Sequence, residues 1–269
     1  GLSVFADLFF RNARLNYKMG VVPIYDRRYL NDQYKYGASG YRKMNPYGEL
    51  VQLKNIDGSN VVLKNDKGED VTPPPFITRD TFKNPKDAAN VLKATLNMGV
   101  QWGPEAEESF SPVIKMITDK NLNKTKNQNF YEDDKDAYLV VIFLTDADDA
   151  SPELTADTFY QKLVAAKGGD KSKVLIAAAN PSPVAHQANP QSCSLDGMGP
   201  VVRFPQLISV SGGIRLDLCS TDFGRQLAQF GQTIVNRAAH QEILFNFRAD
   251  SDIKVWYGTA TTKEEDRQI

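Results

Sequence analysis

Residues 138–151 read YLVVIFLTDADDAS, and this stretch restricts the possible folds more than any other. The run 138–144 is too short to cross a membrane and too rich in Val and Ile for a loop. A continuous apolar stretch of this length predicts a strand covered on both faces, as in a parallel sheet. It stops on three acids, Asp146, Asp148 and Asp149. Open α/β sheets place their ligands at the carboxyl ends of such strands, so these acids mark a candidate site.

Elsewhere, helical and strand patterns alternate. In residues 1–17, Leu2, Phe5 and Phe9 fall at helical spacing, with Leu8 and Leu15 on a neighbouring stripe. KMGVVPIYD predicts a short strand. Residues 26–78 read as an irregular insertion in which DG and KG mark turns between short strands, closed by Pro73, Pro74 and Pro75. KNPKDAANVLKATLNMG has Asn84 as a cap, Pro85 in the first turn, an apolar face of Ala88, Val91, Leu92 and Leu96, and Gly99 past its end. PEAEESFSPVIKMI predicts a helix starting at Pro104, with Glu105, Glu107 and Glu108 matched to its dipole and a kink at Pro112. TADTFYQKLVAAKGG, RFPQLISVSGG and DFGRQLAQFGQTIVNR predict further helices, and KVLIAAAN and IRLDLC further strands. EILFNF and DIKVWYG predict a terminal hairpin. No internal repeat or low-complexity tract is evident. The pattern predicts a three-layer α/β fold with a mostly parallel central sheet over residues 1–240, then a hairpin and tail over 241–269.

With 32 basic and 33 acidic residues, the chain has no net field to attract nucleic acid or anionic lipid. It begins at Gly1 without a basic, apolar leader, as expected of a processed or trimmed chain whose signal peptide would lie out of view. Cys193 and Cys219 are the only cysteines. In a cytosolic protein they would be two unrelated buried thiols and in an exported one a disulfide; spacing leaves both open. His186 and His240 lie far apart with no nucleophile motif beside them, and are read as structural or surface residues.

The acids at 146–149 admit two readings. They cap a helix starting near Pro152, with Ser151 helping, or Asp146 contacts a cation or partner. The tyrosines of the insertion, among them Tyr34, Tyr36 and Tyr41, either form a binding surface or pack the insertion onto its own domain.

The order of KMGVVPIYD, PFITRDTFKNP, GPEAEESF, YLVVIFLTDADDAS and GGIRLDLCSTDFGRQLAQFG resembles the von Willebrand factor type A domains of bacterial exported lipoproteins and surface proteins. The resemblance covers residues 1 to about 240. It implies a Rossmann-like sheet and a non-enzymatic module for adhesion or protein binding. It also implies export to the periplasm, outer membrane or cell surface, with membrane attachment only through a lipid anchor outside residues 1–269. Such domains commonly hold Mg2+ or Ca2+ at a metal-ion-dependent adhesion site. Asp146 matches its third-loop aspartate and is the expected metal ligand, with Asp148 beside it at the ligand-binding end. The second-loop hydroxyl falls on Pro104, and the DxSxS loop is absent, because Asp57 and Ser59 sit in a hairpin turn. The cation site is therefore expected to be incomplete and weak. The resemblance further implies a Cys193–Cys219 disulfide. In this family a central strand precedes the helix like GLSVFADLFF, so a preceding segment of the same protein is expected to fill that place between KMGVVPIYD and YLVVIFLT, ahead of a strand donated by another chain or EILFNF folding back. From a different class, Asp146 and Asp148 also resemble the first motif of haloacid-dehalogenase-like, magnesium-dependent phosphatases, with Ser209 or Ser211 as the later hydroxyl.

Overall fold

A computed structural model describes residues 5, 6, 10, 15–25, 47–97, 106–131, 136–181 and 201–239. The chain divides into two compact units, Gly1–Ala239 and His240–Ile269. The second unit, with the expected terminal hairpin, lies outside the described residues.

The apolar runs form a parallel sheet of three strands in the order β5–β6–β7: β5 (Leu139–Leu144), β6 (Val174–Asn180) and β7 (Ile214–Asp217). Every residue of β6 is buried, as a central strand covered on both faces requires. Its side chains alternate between two apolar clusters. Leu175, Ala177 and Ala179 enter the first, and Val174, Ile176 and Ala178 the second.

Each cluster is closed by helices. Helix α1 (Pro85–Leu96) contributes Val91 and Leu92 to the first cluster, and α6 (Phe223–Ala239) contributes Leu227, Phe230 and Ile234. Phe5, Ala6 and Phe10 are helical and buried there as well. The buried face of the first segment therefore runs through Phe5, Ala6 and Phe10, whereas Leu2, Leu8 and Phe9 lie outside the described residues. The second cluster is closed by α2 (Phe110–Thr118), which the short α3 (Lys120–Lys124) follows, and by α4 (Ala156–Ala166) and α5 (Arg203–Ser211). At its centre Phe110 stacks on Phe159 with ring centroids 4.4 Å apart, and Phe204 meets Phe110 edge-on. The architecture is mixed α/β, with helices on both faces of a small parallel sheet.

A separate antiparallel pair joins β1 (Lys18–Gly20) to β4 (Phe76–Thr78). Met19, Val21 and Ile77 pack on the first cluster and Val22 on the second. The pair thus occupies the same layer as the parallel sheet, but β1 is not paired with β5.

Between these strands, β2 (Leu63–Lys64) and β3 (Asp70–Val71) belong to a small meander. Residues 51–60 (VQLKNIDGSN) and 61–70 (VVLKNDKGED) turn out to be two copies of one unit, sharing Val, Leu, Lys, Asn and Gly at equivalent positions. Their geometry repeats too. Asn55 N donates to Ser59 O and Gly58 N to Asn55 O, each at 2.9 Å; Asn65 N donates to Glu69 O at 3.0 Å and Gly68 N to Asn65 O at 2.9 Å. Gly58 and Gly68 have φ of 83° and 79°, which explains the glycine at this turn position. A period of ten is below that of repeat architectures, so a search for those passes over it. Two side chains anchor this region. Asn127, fully buried, accepts from Leu50 N and donates to Gly48 O, both at 2.9 Å. Thr95 of α1 accepts from Lys54 N at 3.0 Å.

One expected helix start moves. Helix α2 begins at Phe110 rather than Pro104, so Glu107 and Glu108 precede it and do not match its dipole. Pro112 sits in the first turn, where its missing N–H removes no intrahelical bond, so it imposes no kink.

Candidate functional site

The loop after β5 carries the acids that sequence reading singled out, and the structure separates their roles. Asp149 is buried, and its Oδ1 accepts from the N–H groups of Ser109 (2.8 Å) and Phe110 (3.0 Å) at the start of α2. The same oxygen accepts from Ser151 Oγ at 2.7 Å, and Oδ2 accepts from Arg203 Nη1 at 2.9 Å. Ser151 Oγ in turn accepts from Ser111 N at 3.0 Å. Asp148 caps the other helix: its carboxylate accepts from Val202 N at 2.9 Å, Arg203 N at 3.0 Å and Phe204 N at 3.3 Å. Carboxylates at helix N-termini satisfy orphan donors and oppose the positive end of the dipole. The capping expectation therefore needs correction in its target. These acids cap α2 and α5, which lie far away in sequence, while α4 starts at Ala156 on its own Thr155–Thr158 capping box. Asp148, expected at the ligand-binding end, has its carboxylate engaged with α5.

Asp146 differs from both. It is exposed at the carboxyl end of β5. Beside it, Thr145 Oγ1 donates to Glu107 Oε2. Burial pushes the Glu107 carboxyl above its ordinary range, the Thr145 hydrogen bond pulls it down, and the Asp146 carboxylate raises it further as a like charge and hydrogen-bond partner. Glu107 is held in place by its own backbone, whose carbonyl accepts from Ala150 N at 2.7 Å. Sequence reading missed Glu107 because it assigned the residue to a helix dipole; no local pattern ties position 107 to position 146.

The floor of the site follows from a break in the β5–β6 ladder. Thr145 N donates to Ala179 O at 3.2 Å. The next rung would use the N–H of residue 181, but Pro181 has none. Asn180 Nδ2 takes its place, donating to Thr145 O at 3.3 Å. Asn180 is fully buried and, among the described residues, its Oδ1 has no hydrogen-bond partner.

The chemistry available is a pair of facing carboxylates, Glu107 and Asp146, with the hydroxyl of Thr145. Hard oxygens in this number fit Mg2+ or Ca2+ that keeps most of its waters. Among the described residues, no group of three or more His, Cys, Asp or Glu side chains converges as a fuller metal cage would. Asp57 is confirmed as a turn residue, its Oδ1 accepting from Ser59 N (2.9 Å) and Ser59 Oγ (2.7 Å). Ser209 and Ser211 both belong to α5, and Ser211 Oγ donates to Leu207 O at 2.6 Å.

Tyr34, Tyr36 and Tyr41, Pro104, His186, His240 and Cys193 lie outside the described residues. Cys219 is disulfide-bonded. Compared with known proteins, the chain matches no family model, no curated protein and no solved structure.

Proposed function

We propose that this chain is a non-enzymatic binding module of the von Willebrand factor type A kind, part of an exported bacterial protein. It engages a protein or surface ligand at the carboxyl end of its parallel sheet. The observation that carries this reading is the division of labour after β5. Asp148 and Asp149 are held by helix N-termini, whereas Asp146 is exposed and faces Glu107 at the strand end where such sheets bind ligands. A weakly held Mg2+ or Ca2+ between Glu107 and Asp146 would present open coordination positions to a partner's carboxylate. The three-layer arrangement and the antiparallel β1–β4 pair are compatible with the type A topology. Tyr34, Tyr36 and Tyr41 of the insertion extend the proposed surface.

Thermal unfolding with and without millimolar Mg2+ or Ca2+ tests the reading. A ligand at ten times its Kd should stabilise by about 1.4 kcal/mol through mass action. Asp146→Ala should abolish that shift while leaving the metal-free melting temperature nearly unchanged. An identical shift in Asp146→Ala would remove the site from this strand end.

A further inference from the structure

The two turns of the meander share one backbone geometry but differ at the residue before the glycine. The first sets Asp57 before Gly58, the second Lys67 before Gly68. Positions 57–59 and 67–69 are all exposed, and a Cβ at either glycine would meet open space. In an Asp–Gly pair the glycine nitrogen can reach the preceding carboxyl carbon, because glycine puts no side chain in the way. Asp57–Gly58 is the one such pair among the described residues.

The folded first turn engages both reacting groups. Asp57 Oδ1 accepts from Ser59 Oγ at 2.7 Å and from Ser59 N at 2.9 Å. The hydroxyl first and the N–H second hold this carboxyl below its ordinary range, so it stays ionised. The nitrogen that would attack is held too, since Gly58 N donates to Asn55 O at 2.9 Å. The second turn spends its equivalent donor elsewhere. Glu69 N donates to Asn65 Oδ1 at 2.9 Å, and the Glu69 carboxylate accepts from Asn65 Nδ2 at 2.8 Å. A serine therefore stands two positions past the turn residue only where that residue is an aspartate.

We propose that Asp57 is a latent modification site, converted to isoaspartate by its own chain, and that Ser59 holds this conversion back in the folded protein. Gly58 N forms a bond to the Asp57 side-chain carboxyl carbon. The amide proton and the hydroxyl of the protonated carboxyl leave together as water, and a five-membered imide results. Water then adds to the main-chain carbonyl carbon of the imide and breaks its bond to nitrogen. The chain now runs through the side-chain carbon, longer by one methylene, and the former main-chain carbonyl is a free carboxylate. No oxidant or reductant enters, and the mass of the chain is unchanged. A methylene added inside so tight a turn moves Gly58 N off Asn55 O and Ser59 O off Asn55 N, the two 2.9 Å bonds that close the hairpin. The inference does not depend on the acids after β5.

Prolonged incubation of the 269-residue chain in warm neutral buffer provides the test. Tryptic digestion releases residues 55–64, and chromatography with fragmentation separates and locates the altered linkage. Asp57 should convert more slowly in the folded chain than in the chain unfolded by urea, by at least about threefold, the factor that lost hydrogen bonds of this kind are worth. Ser59→Ala should speed conversion in the folded chain by a similar factor. Lys67→Asp builds a second Asp–Gly pair in the turn that lacks the serine, and position 67 should then convert faster than Asp57 in the same molecule. Adding Glu69→Ser should slow position 67 to the rate of Asp57. The two turns in one molecule share every condition, so their comparison holds whatever a variant does to overall stability. Equal rates for Asp57 in the folded and unfolded chain, no acceleration in Ser59→Ala, or a position 67 no faster than Asp57 would each overturn the proposal.

Discussion

Asp149→Ala should be among the most costly single changes in the described part of the chain. The carboxylate is completely buried and holds two N–H groups of α2, the Ser151 hydroxyl and the Arg203 guanidinium. Removing one member of a buried ion pair typically costs about 3–5 kcal/mol, because the other charge is left uncompensated. The low end applies here. The Arg203 side chain is 32% exposed, and its Nη1 keeps the carbonyls of Ser151 and Leu154 at 2.6 and 3.1 Å. Losing the α2 cap overlaps with this loss and adds up to about 1 kcal/mol. The expected total is about 3–4 kcal/mol, a large share of the roughly 5–15 kcal/mol that holds a domain together. At about 2–4 °C per kcal/mol for a domain of this size, the melting temperature should fall by roughly 6–16 °C. Urea titration should show a lower midpoint with an unchanged slope. Asp148→Ala, whose helix cap is only partly buried, should cost about 1–2 kcal/mol, and exposed Asp146→Ala less than about 0.5 kcal/mol. A double-mutant cycle between Asp149→Ala and Arg203→Ala should show coupling above about 1 kcal/mol. If the three alanine variants unfold at the same urea concentration, or the cycle shows no coupling, the separation of caps from the exposed acid is wrong.

Glu107 supplies a pH dependence. Its folded carboxyl binds a proton more tightly than the unfolded one, so the stability that its protonation contributes is present at low pH and lost as pH rises through the raised value. Glu107→Gln should flatten urea stability between mildly acidic and neutral pH and raise it at neutrality; an unchanged slope there would contradict the burial assigned to this group. Gly58→Ala and Gly68→Ala should each cost about 1 kcal/mol, from the left-handed backbone and not from crowding, since nothing lies within 4 Å of either added Cβ. Equal losses on denaturation are expected because the two turns repeat one geometry, and a threefold disparity would argue against the equivalence. Mass spectrometry of unreduced protein should find one linked peptide pair containing Cys193 and Cys219; two alkylated thiols in material from an oxidising compartment would refute the bridge.

What could be read from the sequence was what periodicity and composition encode locally. YLVVIFLT and KVLIAAAN announced buried parallel strands because they have no polar alternation, and β5 and β6 lie within them. Asn84 and Pro85 announced the start of α1, where Asn84 accepts from Lys86 N at 3.0 Å. The site was less legible because its contacts join distant positions. Asp149 reaches back about forty residues to Ser109, Asp148 reaches forward more than fifty to Arg203, and Glu107 meets Thr145 across 38 positions. A run of acids looks the same in sequence whether its members cap helices or face solvent. Only the fold distinguishes them, through which N-termini it delivers to the loop.

The same loop ties the proposed ligand site to the packing of the sheet. Asp149 and Asp148 secure α2 and α5, both of which pack on the second cluster, and so fix the face of the sheet that β5 shares with its neighbours. Thr145 joins the end of β5 to Glu107, and Glu108 joins that segment to Tyr25 beyond β1.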